Sequence, residues 1–134
     1  MFKLIIISVL TLFNVDDTII NRIHSPYRLL LLDPHKQVTG IVKKVERCLD
    51  GDIEILLSVT DSSLLAKNNY TKEDGCLVLE IICACKSVFP ICKDYQNKIL
   101  IPSVGDTIMA TGLFVYDKRH KINEIHPVLE LYRK

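Results

Sequence analysis

The sequence predicts an all-β domain folded as a five-stranded barrel. Five segments rich in β-branched residues alternate apolar with polar side chains, which is the two-residue period of strands. Gly, Pro, Asn and Asp separate these segments and predict turns. The sequence contains no strand–helix–strand repeat, the pattern that would indicate a parallel sheet. Because a longer break follows the third segment, the order matches an OB-fold, a Greek-key barrel, with a short helix or irregular segment between strands 3 and 4.

The strands follow one another with clear punctuation. "QVTGIVKKVERCL" (37–49) is the first predicted strand, and "DGD" (50–52) is a hairpin turn in which Gly51 supplies a positive φ. The polar stretch 62–75 is a long loop with room for one helical turn. The other strands are predicted in "IEILLSVTD" (53–61), "CLVLEIICA" (76–84), "TIMATGLFVYD" (107–117) and "INEIHPVLELY" (122–132).

The predicted barrel runs over about residues 38–131, with residues 85–95 packed over one end. Gly40 and Gly112 fall inside strands, where a small barrel needs close approach of two backbones. Alternation predicts a core that contains Ile41, Ile55, Leu57, Leu79, Ile81, Met109 and Ile125.

The composition is that of a globular protein. The chain has 134 residues, of which 49% are hydrophobic and 25% charged, enough for one domain with a core. A net charge of +1 provides no overall attraction to nucleic acid or to a membrane surface. With no Trp and 7% aromatic residues, few side chains are available to stack on bases.

The first 35 residues are interpreted as a signal-like apolar segment and a lead-in, and residues 36–134 as the OB-fold domain. "MFKLIIISVLTLF" has one Lys followed by an apolar run over residues 4–13, as in a signal peptide, too short for a stable transmembrane span. This favours export from the cytoplasm, although no small-x-small cleavage site follows. The alternative is a buried strand or helix of a cytoplasmic protein.

The cysteines bear on the same question. In an exported chain, Cys92 pairs with Cys83 or Cys85 across a short loop. Two alternatives remain, namely free buried thiols and a zinc site in which Cys83, Cys85 and Cys92 are completed by Cys76 or a histidine. "NYT" at Asn69 is also a glycosylation motif.

The stretch "DKRHKINEIHPVLELY" (117–132) raises the question of a metal or proton-transfer site. Glu124 and His126 share one face of a strand, whereas His120 lies in the turn, roughly 20 Å from His126 along a straight strand. Glu124 can accept a hydrogen bond from the imidazole of His126, which predicts a structural or ligand-contacting histidine instead of a catalytic base. No cofactor is expected, and the weak candidates for metal ligands are Asp52, Glu54, Glu124 and His126.

A ligand-binding rim is predicted around the last turn. The outer faces of the second and third strands present carboxylates and aliphatic side chains, such as Glu54 and Glu80, in place of stacking platforms. Basic residues lie on the first strand and in the turn before the fifth, where they could contact phosphates. The rim candidates are Lys43, Lys44, Tyr116, Lys118, Arg119, His120, Lys121, Glu124 and His126.

Several motifs together resemble a group of small, largely uncharacterised prokaryotic OB-fold proteins that often carry export signals. They are "VTGIVKKVE", "DGD", "LVLEIIC", "VGDTIMATG" and "EIHPV", in this order over about the last hundred residues. The chain departs from the group at Glu54, where a histidine is usual, and at Lys121 and Ile122, where a Gly-Trp pair is common. The resemblance implies the fold and an exported location, and no established activity.

These observations favour a non-enzymatic OB-fold module, outside the cytoplasm, that binds a protein, a glycan or another ligand. The alternative is a protein that binds single-stranded nucleic acid weakly. A metal-dependent hydrolase, resembling staphylococcal-type nucleases at "DGD", is the third possibility. Such enzymes need arginines that stabilise the phosphate, and Arg47 and Arg119 are the only candidates among the five strands.

Overall fold

A computed structural model describes residues 17–86 and 89–134. The apolar run at residues 4–13, on which the export prediction depends, lies outside the described residues. Within the described part of the chain, no helix has the length and apolar character needed to cross a membrane.

The chain is mostly β, with five strands and short helices. The strands are β1 (Leu29–Arg47), β2 (Ile53–Ser58), β3 (Leu77–Ile81), β4 (Thr107–Asp117) and β5 (Ile122–Arg133). Among the described residues, the helices are α1 (Asp17–Ile20) and α2 (Lys67–Lys72), and single 3-10 turns occur at Pro26–Arg28, Ser62–Leu64 and Pro90–Cys92. The sequence therefore predicted all five strands and the helical turn in the 62–75 loop, whereas the segment between β3 and β4 is irregular apart from one 3-10 turn.

The strands form one mixed sheet that closes into a ring in the order β1-β2-β3-β5-β4. β1 pairs with β2 on one side and with β4 on the other, which closes the ring. The β3–β5 pair is parallel, and the other pairs are antiparallel. β1 begins at Leu29, upstream of the boundary predicted at residue 36, because "RLLLL" extends it along β4.

Glycines permit the closest backbone contacts of the ring. A Cβ at Gly40 would collide with the backbone oxygen of Ser58, and one at Gly112 with the backbone oxygen of Pro127. The prediction that these glycines mark close backbone approach is confirmed. Gly51 has a φ of 94° in the β1–β2 turn, also as predicted.

The main core fills the inside of the ring, and two predicted members do not belong to it. Ile55, Leu57, Leu79, Ile81 and Ile125 are fully buried, as predicted, but Ile41 is 43% exposed and Met109 is only half-buried. In β1, the inward-facing positions are Gly40 and every second residue on either side of it, because the glycine allows β1 to approach β2 on that face. The side chains that point inward are therefore Val38 and Val42 in β1, and Ile108 and Ala110 in β4.

A second apolar cluster lies outside the ring. Ile20, Ile23 and Leu29 pack together with Ile82 and Leu113, so the segment that leads into β1 covers part of the outer face. The same segment contacts the β3–β4 connection, because Arg22 Nη1 donates a hydrogen bond to the backbone oxygen of Ile91 at 2.9 Å. This segment therefore belongs to the packed structure.

A disulfide joins Cys83, at the end of β3, to Cys92 in the following 3-10 turn. Their Cα atoms are 5.4 Å apart, within the usual range for disulfides. This is one of the two pairings that the sequence predicted, and Cys85 is free, as are Cys48 and Cys76. Because the disulfide consumes two of the thiols proposed for zinc, the zinc alternative is wrong for this state of the chain.

Asn69 is fully buried in α2, so its side chain is not accessible in the folded chain. Its amide nitrogen donates to the backbone oxygens of Cys76 and Asn123, at 2.9 and 3.0 Å. Its amide oxygen accepts from the backbone N–H groups of Ala66 and Asn123, at 2.9 and 2.8 Å. The interpretation of "NYT" as a glycosylation site is therefore wrong for the folded protein, and Asn69 has a structural role instead.

Candidate functional site

The outer face of the ring carries a small cavity whose wall is mostly acidic, here called the acidic cavity. Its volume is about 100 Å³, and five of its eight lining residues carry carboxyl groups. The acids are Glu54, Glu73, Glu80, Asp117 and Glu124, and the other lining residues are Arg28, His120 and Ile122.

Three neighbouring strands deliver the central carboxyl groups. Glu54 on β2 is directly opposite Glu80 on β3 in the antiparallel pair. Glu124 on β5 is opposite Val78, two residues before Glu80, in the parallel pair. Because their chain neighbours point into the core, all three glutamates project from the outer face. The register of the sheet thus brings three carboxyl groups together.

Asp117 holds one corner of the cavity. Its Oδ2 lies 2.6 Å from Arg28 Nη1 and 2.7 Å from His120 Nδ1. Its Oδ1 accepts hydrogen bonds from the backbone N–H groups of Arg119 and His120, at 2.8 and 3.2 Å. Burial alone would raise the pKa of Asp117, but the hydrogen bonds from His120 and Arg119 and the charge of Arg28 lower it below its usual value. Asp117 is therefore an ionised anchor for the β4–β5 turn.

Glu124 and His126 form a buried pair. Their side chains are 4% and 2% exposed, and His126 Nδ1 lies 3.0 Å from Glu124 Oε1. The hydrogen bond predicted between them is present. Both residues are buried, so neither lies on an exposed rim; Glu124 belongs to the cavity wall and is also 3.6 Å from Arg28 Nη1. His126 Nε2 is shielded from solvent and has no hydrogen-bond partner among the described residues.

Glu80 is the carboxyl group whose ionisation is least favourable. Burial raises its pKa well above the usual value, and the nearby charges of Glu124, Glu54, Asp52 and Asp50 raise it further. Its Oε2 is shielded from solvent and has no hydrogen-bond partner in the described part of the chain. Burial also raises the pKa of Glu54. Glu80 therefore keeps its proton to a higher pH than a carboxyl group in water.

The predicted basic residues of the β4–β5 turn lie beside the cavity. Lys118, Arg119 and Lys121 are exposed, and His120 of the same turn lines the cavity. Arg119 Nη2 donates to the hydroxyl oxygen of Tyr27 at 2.9 Å. The turn thus places three exposed cations next to an acidic interior.

The other predicted rim residues lie elsewhere. Lys43 and Lys44 are exposed on β1, and Lys44 Nζ is 3.1 Å from Glu46 Oε2. Tyr116 is half-buried on β4. The two lysines line a groove that shares no residue with the acidic cavity and includes Leu56, Ser58, Asp74, Gly75 and Cys76.

Only one group of three metal-ligating side chains occurs within 4.8 Å among residues 17–86 and 89–134, namely Asp52, Cys83 and Cys92. Both sulfurs are in the disulfide and offer no thiolate. Asp52 Oδ1 instead accepts a hydrogen bond from the backbone N–H of Cys83 at 2.8 Å. Of the four weak metal candidates, Glu54 and Glu124 line the acidic cavity.

Sequence reasoning did not foresee the full cavity. The straight-strand distance separated His120 from the fifth strand, but the turn folds His120 back onto Asp117, so His120 and Glu124 line one cavity. Arg28 and Glu73 were not candidates, because their approach depends on long-range packing. The one available signal for the cavity was that strand alternation places both Glu54 and Glu80 on the outer face of neighbouring strands.

The chain was also compared with known proteins. No family model matches it, and no curated protein matches it significantly.

Proposed function

We propose that the chain is a non-enzymatic OB-fold module that binds a ligand on its outer face, outside the cytoplasm. The ring order, with β1 paired to both β2 and β4, supports the assignment of the mixed sheet to the five-stranded Greek-key barrel. OB-folds bind their ligands on the face of strands 2 and 3 and with the adjoining loops. The acidic cavity lies on that face.

The observation that carries the proposal is an excess of half-buried acidic groups in the cavity wall. Within the described residues, no ion pair joins Glu54, Glu73 or Glu80 to a basic side chain. Withdrawing carboxylates even partly from water without a basic partner costs free energy. A ligand that interacts with these carboxyl groups would offset that cost.

The cavity wall supports binding over catalysis. Its lining contains no serine or cysteine that could act as a nucleophile. The Asp117–His120 pair resembles part of a catalytic triad, but Asp117 is engaged by Arg28 and by two backbone N–H groups. In no group of three cavity side chains do the ligand atoms all lie within 4.8 Å of one another, which argues against a metal-dependent hydrolase.

The disulfide supports a location outside the cytoplasm, because cytoplasmic thiols are kept reduced. The resemblance to exported OB-fold proteins supports the same location. Both arguments are independent of the cavity.

Ligand screening by nuclear magnetic resonance tests the proposal. Labelled protein is titrated with soluble oligosaccharides, peptides and small organic cations, and amide shifts are mapped onto the fold. We expect saturable shifts on β2, β3, β5 and the β4–β5 turn. Saturable binding that maps only to other surfaces, or chemical turnover of a bound compound, would contradict the proposal.

Binding of single-stranded nucleic acid is the second candidate, and the exposed basic β4–β5 turn favours it. Lys118, Arg119 and Lys121 could contact phosphates, with Tyr27 held beside them by Arg119. The acidic cavity next to the turn repels a polyanion, so any such complex is weak and electrostatic.

A further inference from the structure

We propose that the acidic cavity accepts a single organic cationic group, either an alkylammonium or a guanidinium, presented by the ligand. This inference rests on the proposed function and names the chemistry that the binding face recognises. Five carboxyl groups line the cavity, against one arginine and one histidine.

The cavity already shows how its wall holds a guanidinium. Arg28 enters from the lead-in segment, where Nη1 lies 2.6 Å from Asp117 Oδ2 and 3.6 Å from Glu124 Oε1. These contacts occupy one side of the cavity. Glu54, Glu73 and Glu80 form the rest of its acidic wall and have no basic partner among the described residues.

Glu80 is an independent indication of a ligand at this position. Its Oε2 is shielded from solvent, lacks a hydrogen-bond partner in the described part of the chain, and belongs to a side chain that lines the cavity. A buried acceptor without a donor costs roughly 1–3 kcal/mol. A cationic N–H group in the cavity would provide that donor and the opposite charge together.

An organic cation fits the spacing better than a bare metal ion. Ca²⁺ and Mg²⁺ hold their oxygens at roughly 2.0–2.6 Å, so three directly bound carboxylates must bring their oxygens close together. No three cavity side chains have ligand atoms that all lie within 4.8 Å of one another. Ammonium and guanidinium groups donate several hydrogen bonds with N···O distances of roughly 2.7–2.9 Å, and they reach more widely spaced oxygens.

The size and surroundings of the cavity limit the ligand. A volume of about 100 Å³ corresponds to roughly three waters, at about 30 Å³ each. One compact group can enter, whereas the exposed Lys118, Arg119 and Lys121 disfavour a second cation nearby. The ligand is therefore expected to carry one cationic group on an otherwise neutral or anionic body.

Binding should strengthen as pH rises. Glu80 faces Glu54 from β2, Glu124 from β5, and Asp50 and Asp52 from the β1–β2 turn, and with burial these groups raise its pKa. A cation favours the ionised carboxylate, so it binds better when Glu80 has lost its proton. The other charged or titratable side chains that line the cavity are Arg28, Glu73, Asp117 and His120, and the positive charge of Arg28 opposes the binding of a cation.

The test uses the full-length protein and methylguanidinium chloride, with neutral methylurea as the matched control. Resonance titrations at pH 5 and pH 8 measure affinity through the amides of Glu54, Glu80 and Ile122. We expect saturable methylguanidinium binding that is several-fold tighter at pH 8, and no saturable binding of methylurea. Equal binding of the two compounds, or tighter binding at pH 5, would overturn the proposal.

Variants assign the effect to the cavity. Glu80→Gln and Glu54→Gln should each weaken methylguanidinium binding at pH 8 about tenfold, and Glu130→Gln, which changes an exposed carboxyl group on β5, should leave it unchanged. Unchanged affinity in both cavity variants would refute the cavity as the site. Preferential binding of Ca²⁺ or Mg²⁺ at the same amides would refute an organic cation.

A further experiment distinguishes a cationic group on a protein side chain from one on a small molecule. A blocked Gly-Arg-Gly peptide that binds more tightly than methylguanidinium identifies a protein side chain as the ligand group, and the reverse order identifies a small molecule. Either order supports the proposal. If no cation binds but another compound shifts the amides of β2, β3 and β5, the cavity inference fails while the proposed binding face survives.

Discussion

The buried polar atoms of individual residues in this protein differ in how many hydrogen bonds they make. Asn69 uses both its amide nitrogen and its amide oxygen twice. His126 uses one ring nitrogen, and Glu80 Oε2 has no partner among the described residues. Because an unmade buried hydrogen bond costs more than a made one contributes, substitutions at these positions should differ in sign as well as size.

Glu80→Gln should stabilise the protein at neutral pH. The folded chain raises the pKa of Glu80 by burial and by the charges of Glu124, Glu54, Asp52 and Asp50, so the folded state holds a proton that the unfolded state has lost. The contribution of Glu80 to the free energy of unfolding is complete below the ordinary glutamate pKa of 4.5. It is lost as pH rises towards the higher pKa that Glu80 has in the folded state. We expect a gain of about 1 kcal/mol in the free energy of unfolding at pH 8, and little change near pH 4.

Urea denaturation at both pH values measures this effect. Glu130→Gln, on the exposed face of β5, serves as the control and should change stability little at either pH. A loss of stability at pH 8 in Glu80→Gln would show that the ionised carboxylate supports the fold.

His126→Ala should lower stability through the loss of a buried contact. The substitution removes the hydrogen bond to Glu124 Oε1 and leaves a cavity at a position that is 2% exposed. We expect a cost of about 2 kcal/mol, larger than for a hydrogen bond alone because packing is also lost. Thermal and urea unfolding measure the cost, with the exposed His35→Ala as the control. Equal melting temperatures for the two variants would contradict a structural role for His126.

Among the elements, α2 is a short helix whose position depends on one side chain. Asn69 connects α2 to Cys76 before β3 and to Asn123 on β5. The β3–β5 pair that it bridges is the parallel contact of the ring, with two residue pairs in register. The helix therefore supports the sheet near the acidic cavity, to which Glu73 contributes just after α2.

Asn69→Ala should destabilise the fold strongly. Four hydrogen bonds to buried or half-buried backbone groups are lost, and at about 1 kcal/mol each the expected cost is about 3–4 kcal/mol. Asn68→Ala is a matched control, since Asn68 is half-exposed and donates one hydrogen bond, to the backbone oxygen of His120 at 3.1 Å. Urea unfolding compares the two variants, and similar losses in both would mean that Asn69 does not anchor the helix.

In the whole molecule, two long-range features join the lead-in segment and the β3–β4 connection to the ring. The lead-in segment packs on the outer face through Ile20 and Ile23, and Arg28 reaches the cavity. The disulfide fixes the β3–β4 connection, against which the lead-in segment packs. The binding face is therefore assembled from segments far apart in sequence.

The disulfide should be present in protein taken from its native compartment. Mass spectrometry of unreduced peptides should find Cys83 linked to Cys92, with Cys48, Cys76 and Cys85 as thiols. The double substitution to alanine should cost about 2–3 kcal/mol for a loop of this size, whereas Cys48→Ala should cost less. Detection of five free thiols in native material would contradict both the disulfide and the proposed location.

Nucleic-acid binding, if tested with single-stranded oligonucleotides, should be weak and salt-sensitive. Replacement of Lys118, Arg119 and Lys121 by alanine should weaken binding of all sequences alike and reduce the salt slope by about 2. Replacement of the exposed Lys86, Lys93 and Lys98 controls for total charge and should have less effect. A tight, salt-resistant complex with one oligonucleotide would instead establish sequence-specific recognition.

The sequence alone determined the strands and their turns, and it narrowed the disulfide partner of Cys92 to Cys83 or Cys85. Local signals were enough because strand alternation, the positive φ of Gly51 and the spacing of Cys83 and Cys92 depend on nearby residues. The same signals misplaced Ile41, because "VTGIV" alternates equally well on either face. Contact across the ring at Gly40 decided which face turned inward.

Only the tertiary structure decided the acidic cavity. Strand alternation alone places Glu54, Glu80 and Glu124 on the outer face of their strands. Their proximity follows from the β2-β3-β5 order and from the parallel β3–β5 pair, which joins strands far apart in sequence. Arg28 and Glu73 reach the same cavity from the segment before β1 and from the end of α2. The pKa of Glu80 is raised by burial and by carboxylate repulsion, which arise once β2, β3, β5 and the β1–β2 turn meet. Both effects depend on distance through space and not along the chain.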